Sequence, residues 1–370
     1  MRILFLPFLS IPSGHRHAAD SLKAEIEALD IPCNYKKIDI LAYSYGNIER
    51  LTSAIYLHWI QRLPQVYSSL YYLFTVRKRT VEKRHYIYEW LFLRKMKRLI
   101  RNTKPDIVIC THALPSYLIA HLKKKNEWTG IAVNVYTDYF INRLWGKAEI
   151  DYHFVPSPCM ETELQGVRSR QIVAAGIPVH PLLRVEKKER KKTDRYSVLI
   201  SGGNMGTGSI RRLLERIRPS GIITYKVLCG KNEKLYRQVL RMNHPFMKAI
   251  PFISDKDSMN RLYEKADAII TKPGGITVTE CLLKKIPIII YEALPGQEEM
   301  NLRFLKEKQL IADLQRWRRF KNIEPEIVKM LNESASLKQR AEAFRLSTDQ
   351  KKIVAAIKEM AVRVNVNGKR

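Results

Sequence analysis

Two textures alternate along the chain: short continuous apolar runs, and longer stretches in which apolar residues recur every three or four positions. In the first half, the runs Ile3 to Leu9, Ile107 to Cys110, Ile131 to Val135, Asp151 to Val155 and Gln171 to Ala175 predict strands. In the second half, Ser197 to Ile200, Tyr225 to Cys229, Lys248 to Phe252, Ala268 to Ile270 and Pro287 to Tyr291 do the same. Between them lie helical patterns: Ala18, Leu22, Ile26 and Leu29 share one face, and Ser157 to Leu164 reads as a helix opened by Pro158. Strand and helix in alternation predict an α/β protein with parallel sheets. After Asn301 the pattern is mainly helical, with Ser347 and Gln350 spaced as a capping box ahead of Ile353, Ala356, Ile357 and Met360. The lysine-rich run from Arg184 to Arg195 reads as a solvated linker, which places a domain boundary near Pro181.

The stretch Asp267 to Asn301 carries the densest signal. Ala268 to Ile270 is followed by Thr271-Lys272-Pro273-Gly274-Gly275, a helical segment with Glu280, and a second strand. In such a βαβ unit, ligands bind beyond the carboxyl ends of the strands. Gly274 and Gly275 let the backbone approach a ligand, and the helix start offers free N–H groups to an anion. Glu280 lies one turn in, where a carboxylate can accept hydrogen bonds from a ribose diol; the same spacing also describes an ordinary helix with an exposed glutamate. The loop Ser201-Gly202-Gly203-Asn204-Met205-Gly206-Thr207-Gly208 makes a second backbone cradle for phosphate, although no GxGxxG fingerprint is present. Asp255-Lys256-Asp257 mimics a metal-binding DxD but reads as a helix start, with Ser254 and Asp255 as caps.

Charge narrows the choice of partner. With 65 Lys and Arg against 36 Asp and Glu, the formal net charge is +29, so the partner surface is negative: anionic lipid, nucleotide-sugar or nucleic acid. Residues 77–104 hold eleven Lys or Arg, interleaved with Tyr86, Tyr88, Trp90, Phe92 and Leu93. Aromatics among cations suit an anionic membrane surface, with Trp90, Arg94 and Lys95 as contacts; a solvated helix face with its aromatics in the core is the alternative. No nucleic-acid motif accompanies the charge, so nucleic acid is set aside. Five scattered cysteines without a CxxC argue against a zinc site or a disulfide framework and fit a reducing cytosol. No apolar stretch approaches the roughly 20 residues of a membrane-spanning helix, and the first run reads as a buried strand rather than a leader. Any membrane contact is then peripheral.

His15 and His17 stand at the junction between the first strand and helix, where a histidine either projects into a crevice as a general base or caps the helix. Thr111-His112 follows the second of the strands, and a core-facing His112 is the expectation there.

TKPGGITVTE followed by PGQEEMN resembles the donor-binding half of the monogalactosyldiacylglycerol synthase and processive diacylglycerol glucosyltransferase family, relatives of MurG among the GT-B glycosyltransferases. Gly14-His15 resembles the family's GHxxxA, TDYFINRLW its TDxxxHxxW, Gly176-Ile177-Pro178 its GIP block, and the Gly202 loop its GGGxG. The resemblance implies two Rossmann-like domains facing each other across a cleft: an acceptor and membrane-side domain at 1–181, a UDP-sugar domain at 182–320, and C-terminal helices at 321–370 that pack back toward the first domain. It implies that Glu280 holds the ribose, that Gln297 and Glu298 touch the hexose with Asn301 in support, and that Phe252 and Ile253 meet the uracil. Gly14, Gly202, Gly203, Asn204, Gly206, Lys272, Gly274, Gly275 and Thr277 complete the implied donor set. His15 becomes the catalytic base, with Asp138 to assist, and Tyr67, Tyr71 and Tyr72 lie near the lipid acceptor. Asn142 and His180 depart from the family's usual histidine and arginine.

The activity so implied is inverting transfer of a hexose from UDP-glucose or UDP-galactose to a lipid hydroxyl, most naturally diacylglycerol, by a cytoplasmic enzyme on the inner face of the membrane. No metal or cofactor is expected. Two rivals fit part of the pattern: a UDP-sugar 2-epimerase of the same architecture, and a non-catalytic basic protein that binds anionic membranes.

Overall fold

The structure is a computed structural model that describes residues 1–8, 14–46, 85–167, 171–184, 194–203 and 209–367. The chain forms two compact units: residues 1–180 with 347–370, and residues 181–346. Of the C-terminal helices at 321–370 expected to pack back toward the first domain, residues 347–370 belong to the first unit and residues 321–346 to the second.

The first unit is built on a six-stranded parallel sheet in the order β2-β1-β3-β4-β5-β6. Its strands are β1 (Arg2–Leu6), β2 (Asn34–Lys37), β3 (Ile107–Cys110), β4 (Ile131–Val135), β5 (Tyr152–Val155) and β6 (Gln171–Ala174). The central strands are buried on both faces, which is why they read as largely apolar runs, interrupted only by the buried Asn134 in β4 and His153 in β5. β2 is the exception. Its residues NYKK are mostly exposed; it pairs in parallel with β1 at the sheet edge, and its side chains reach helix α1 (Gly14–Glu27), where the Tyr35 hydroxyl donates to Glu27 and Lys37 pairs with Asp20. The helix expected over 157–164 is of the 3₁₀ type and runs from Pro158 to Leu164.

The C-terminal helix, Lys351–Asn367, places Ile353, Ala356, Ile357 and Met360 in the core of this first sheet. Burial of such side chains stabilises by about 1.5–3 kcal/mol each for the larger ones, so the last helix is integral to the first unit. The anticipated capping box is not what starts it. Ser347 ends the preceding helix, Ala335–Ser347; Asp349 Oδ1 accepts the Lys351 N–H; and the buried Gln350 amide spans the loop after β6, accepting from Val179 N and donating to Ile177 O.

The second unit has its own six-stranded parallel sheet, ordered β12-β11-β10-β7-β8-β9. The strands are β7 (Tyr196–Ser201), β8 (Ile223–Leu228), β9 (Met247–Ile250), β10 (Ala268–Thr271), β11 (Ile288–Ile290) and β12 (Ala312–Asp313). Each half thus repeats strand, helix, parallel strand, so the loops after the carboxyl ends of neighbouring strands collect at one end of each sheet. Among the described residues no helix is long and apolar enough to cross a membrane.

Candidate active site

In the first unit, three chain segments converge on His15. This residue is the second of α1, β3 leads into Thr111 and His112, and β4 leads through Tyr136 into Thr137 and Asp138. His15 Nδ1 lies 2.8 Å from the Thr111 carbonyl oxygen and 2.9 Å from Thr137 Oγ1. A carbonyl oxygen only accepts, so Nδ1 carries the hydrogen and, in the neutral ring, the lone pair is on Nε2. Burial holds the His15 pKa below the ordinary histidine value; the Asp138 charge and the Thr111 carbonyl oppose that shift without cancelling it. The result is a neutral imidazole at neutral pH with its basic nitrogen defined, the condition for a general base. Of the two histidines at the start of α1, it is His15 that joins the Thr111 and Thr137 group.

His112 is not the core residue expected. It is half-buried at the start of helix α2 (Ala113–Lys124), where its Nδ1 accepts the Leu114 N–H at 3.1 Å. Its ring stacks on Phe8 at 4.4 Å between centroids and meets the His15 ring edge-on at 4.8 Å. Asn142, in place of the family's histidine, caps a turn by accepting the Leu144 N–H at 3.0 Å.

In the second unit, Glu280 is not the exposed helix glutamate that its spacing also allowed. It sits on α4 (Gly275–Leu283), and the Tyr263 hydroxyl, from α3 (Lys256–Glu264), donates to its Oε2 at 2.8 Å; both residues are buried. Burial raises the Glu280 pKa above the ordinary glutamate value, against the pull of Lys256, Tyr263 and Lys284. An exposed surface glutamate would show none of this. Gly274, which caps α4, has φ −77° and ψ 140°, a conformation open to any residue, and a Cβ built there has no neighbour within 4 Å. What glycine contributes at this corner is empty space beside the helix N-terminus, where an anionic group can approach the backbone.

The segment after β11 is braced from several sides. Glu298, on α5 (Gln297–Glu307), pairs through Oε1 with the buried Lys272 at 3.2 Å, and its Oε2 accepts the Leu294 N–H at 2.7 Å. Glu299 Oε2 accepts the N–H of Gly296, whose φ of +90° favours glycine. Asn301, buried, donates to the Pro273 carbonyl at 3.0 Å and so ties α5 to the glycine turn. Gln297 and Thr277 are half-buried. Glu292 was not anticipated: it accepts from Ser209 N at 2.9 Å, Ser209 Oγ at 2.7 Å and Arg318 at 3.1 Å. Burial would raise its pKa, yet the Ser209 hydrogen bonds and Arg318 bring it below the ordinary value. A carboxylate thereby holds the far end of the glycine loop that follows β7. A carboxylate three residues before a PGQEE motif is a weak sequence signal, because its partners lie far along the chain.

At the near end of that loop Gly203 has φ +77°, and its N–H donates to Ser201 Oγ at 3.1 Å. Asn204 and Gly206 lie outside the described residues, as do Tyr67, Tyr71 and Tyr72. Phe252 and Ile253 follow β9 in an irregular segment; Phe252 is exposed, with Lys231 Nζ 5.2 Å from its ring centroid. Asp255 caps α3, its Oδ1 accepting the Ser258 N–H at 2.7 Å.

The basic, aromatic segment divides by face. Phe92, Met96, Leu99 and Ile100 enter the core, whereas Tyr86, Ile87 and Trp90 point outward, Trp90 with 82% of its surface exposed. Glu89 between them is buried and accepts the Tyr117 hydroxyl at 2.6 Å. Arg94, one helical turn beyond Trp90, is exposed, and Lys95 is half-buried.

Comparison with known proteins adds the family. The family described as monogalactosyldiacylglycerol (MGDG) synthase matches residues 15–179. An uncharacterized glycosyltransferase of Bacillus subtilis, YkoN, is 47% identical over 319 residues, covering 85% of this chain and 84% of its own. A processive diacylglycerol β-glucosyltransferase of Bacillus cereus is 28% identical over 309 residues, covering 80% and 78%. The crystal structure of Acinetobacter baumannii MurG superposes with a TM-score of 0.57 at 14% identity, over 97% of this chain and all of that one, a likeness of fold. Two parallel-sheet units, the glycine-turn and PGQEE elements, and these relatives place the chain in the monogalactosyldiacylglycerol synthase family of GT-B glycosyltransferases.

Proposed function

We propose that the protein transfers a hexose from a UDP-sugar to the hydroxyl of a lipid of the diacylglycerol class, with inversion at the anomeric carbon. The observation that carries this reading is the tautomer of His15, whose Nδ1–H is engaged by Thr111 and Thr137 so that Nε2 is the base. In the step, Nε2 takes the proton of the acceptor hydroxyl as that oxygen bonds to the anomeric carbon from the face opposite the nucleotide. The bond from that carbon to the diphosphate oxygen breaks, and UDP departs with the electron pair. Negative charge on the departing diphosphate meets the N-terminus of α4 beside Gly274, with the glycine loop after β7 as the second phosphate cradle. Glu280 accepts from the ribose hydroxyls, while Gln297 and the braced segment after β11 contact the hexose. The step uses no metal or cofactor; the nucleotide-sugar is a substrate.

The acceptor class is supported by the activity for which the Bacillus cereus relative is named and by the outward side chains of Tyr86, Ile87 and Trp90 beside exposed arginines. Such a face suits peripheral docking on an anionic membrane, at about 1 kcal/mol for each cation near the surface. The test is incubation of the pure protein with radiolabelled UDP-glucose or UDP-galactose and detergent-dispersed diacylglycerol. UDP and labelled glycolipid are expected in equal amounts. Interconversion of the nucleotide-sugar with no lipid product would replace transfer by epimerisation. Salt-sensitive binding to vesicles with neither product would leave a membrane-binding protein without this activity.

A further inference from the structure

The His15 and His112 rings touch, and their hydrogen-bonding states are opposite. His15 Nδ1 must carry a hydrogen because it faces the Thr111 carbonyl oxygen, so His15 offers a lone pair at Nε2. His112 Nδ1 must lack one because it accepts the Leu114 N–H, so a neutral His112 carries its hydrogen on Nε2. Phe8 stacked on the ring and the helix cap together hold His112 in one orientation. Burial and the adjacent His15 hold the His112 pKa well below the ordinary histidine value, so the ring stays neutral. The pair therefore presents one acceptor and one donor, 4.8 Å apart between ring centroids. Capping α2 needs only a short side chain that accepts, which asparagine, aspartate or serine supplies at least as well. A cap alone does not call for an imidazole here.

Resting on the reading of His15 as the base, the geometry points to His112 as an acceptor-binding residue. Its Nε2–H donates a hydrogen bond to an oxygen on the carbon next to the one that bears the reacting hydroxyl. That oxygen, rather than the attacking one, is the fitting partner, because a donor placed on the nucleophile would draw away the electron pair that attacks the anomeric carbon. The acceptor class is thus an alcohol with a neighbouring oxygen. In a 1,2-diacylglycerol this is the adjacent ester; in a glycolipid that already carries a sugar it is a ring oxygen or a neighbouring hydroxyl.

The experiment separates the cap from the donor. The asparagine amide can reproduce Nδ1 as a cap but does not reach the position of Nε2, whereas the glutamine amide extends a donor to that position. Wild type, His112→Asn and His112→Gln are assayed with UDP-sugar against three acceptors: a 1,2-diacylglycerol, a monoglucosyl diacylglycerol, and a long-chain primary alcohol with no second oxygen. Wild type is expected to favour the acceptors with a neighbouring oxygen in kcat/KM. His112→Asn loses that preference by roughly three- to tenfold, mainly through KM, the loss on the oxygen-bearing acceptors exceeding any change on the simple alcohol; His112→Gln restores part of it. Loss of preference for the diacylglycerol alone assigns the ester, and loss for the glycolipid alone assigns the sugar. If wild type prefers the oxygen-bearing acceptors and His112→Asn keeps the full preference, the assignment is overturned. If wild type transfers hexose to none of the three, the underlying reading of His15 fails instead.

Discussion

The Tyr263 hydroxyl donates to Glu280 Oε2 across 2.8 Å, and both side chains are buried. The carboxylate is thus aimed by a neighbouring helix, at the cost of removing a charge from water. Its raised pKa means that the native state takes up a proton at higher pH than the unfolded chain does. On that sign, Glu280 lowers stability as pH rises through its native value, and the cost persists at neutral pH. Glu280→Gln should therefore bind UDP at least tenfold more weakly by calorimetry, while its thermal midpoint at pH 7.5 equals or exceeds that of wild type, about 1–3 kcal/mol of charge-assisted bonding being lost from the ligand only. A clear fall in midpoint would show that the carboxylate serves the fold rather than the ligand. In the same variant series, Tyr263→Phe should weaken UDP binding without abolishing it.

Gly274 provides a second separation of fold from function. Alanine fits its dihedrals and meets no atom within 4 Å, so Gly274→Ala should change stability by no more than about 1 kcal/mol, the usual difference between the two as helix caps. UDP should nevertheless bind about tenfold more weakly or worse, because the added methyl occupies the approach to the helix N-terminus. Unchanged affinity in a well-folded variant would place the diphosphate elsewhere.

The pH dependence follows from His15. Because its pKa is held below 6.5, kcat/KM should be flat through neutrality and fall only as pH drops below that value. Asp138 raises the His15 pKa, so Asp138→Asn should move the acid limb to still lower pH, in addition to any loss of rate. His15→Ala should reduce turnover by about 10²–10⁴-fold with UDP affinity retained. A limb that moved upward in Asp138→Asn would contradict the electrostatic role given to the aspartate.

For the membrane face, Trp90→Ala and Arg94→Ala should each reduce co-sedimentation with phosphatidylglycerol-containing vesicles. The arginine change is worth about 1 kcal/mol, or roughly fivefold, and should vanish in high salt, whereas the tryptophan effect should survive it. Equal binding of both variants and wild type would assign these outward side chains no part in docking.

The central strands were legible in the sequence because both of their faces are covered: β3 and β4 have the bounds that their apolar runs predict, β10 runs one residue further, and β11 is one residue shorter at each end. β2 and β12 were not legible. They lie at the sheet edges, where one is polar and the other only two residues long, so no local pattern marks them. The glycine turn, the Asp255 cap and the order of strand and helix are likewise local properties, determined by dihedral preference and by spacing along a few residues.

Tertiary structure alone decided the chemistry of the site. His15 meets its partners across 96 and 122 residues of chain, and its tautomer depends on a backbone carbonyl that carries no sequence signal. The burial of Glu280, the brace of Glu292 on Ser209, and the use of Gln350 as a tie to the loop after β6 have the same origin. Amino-acid order determines which groups exist and how each short segment folds. Protonation state, tautomer and solvent exposure are set by whatever packs beside a group, and in a parallel sheet those neighbours come from distant strand ends.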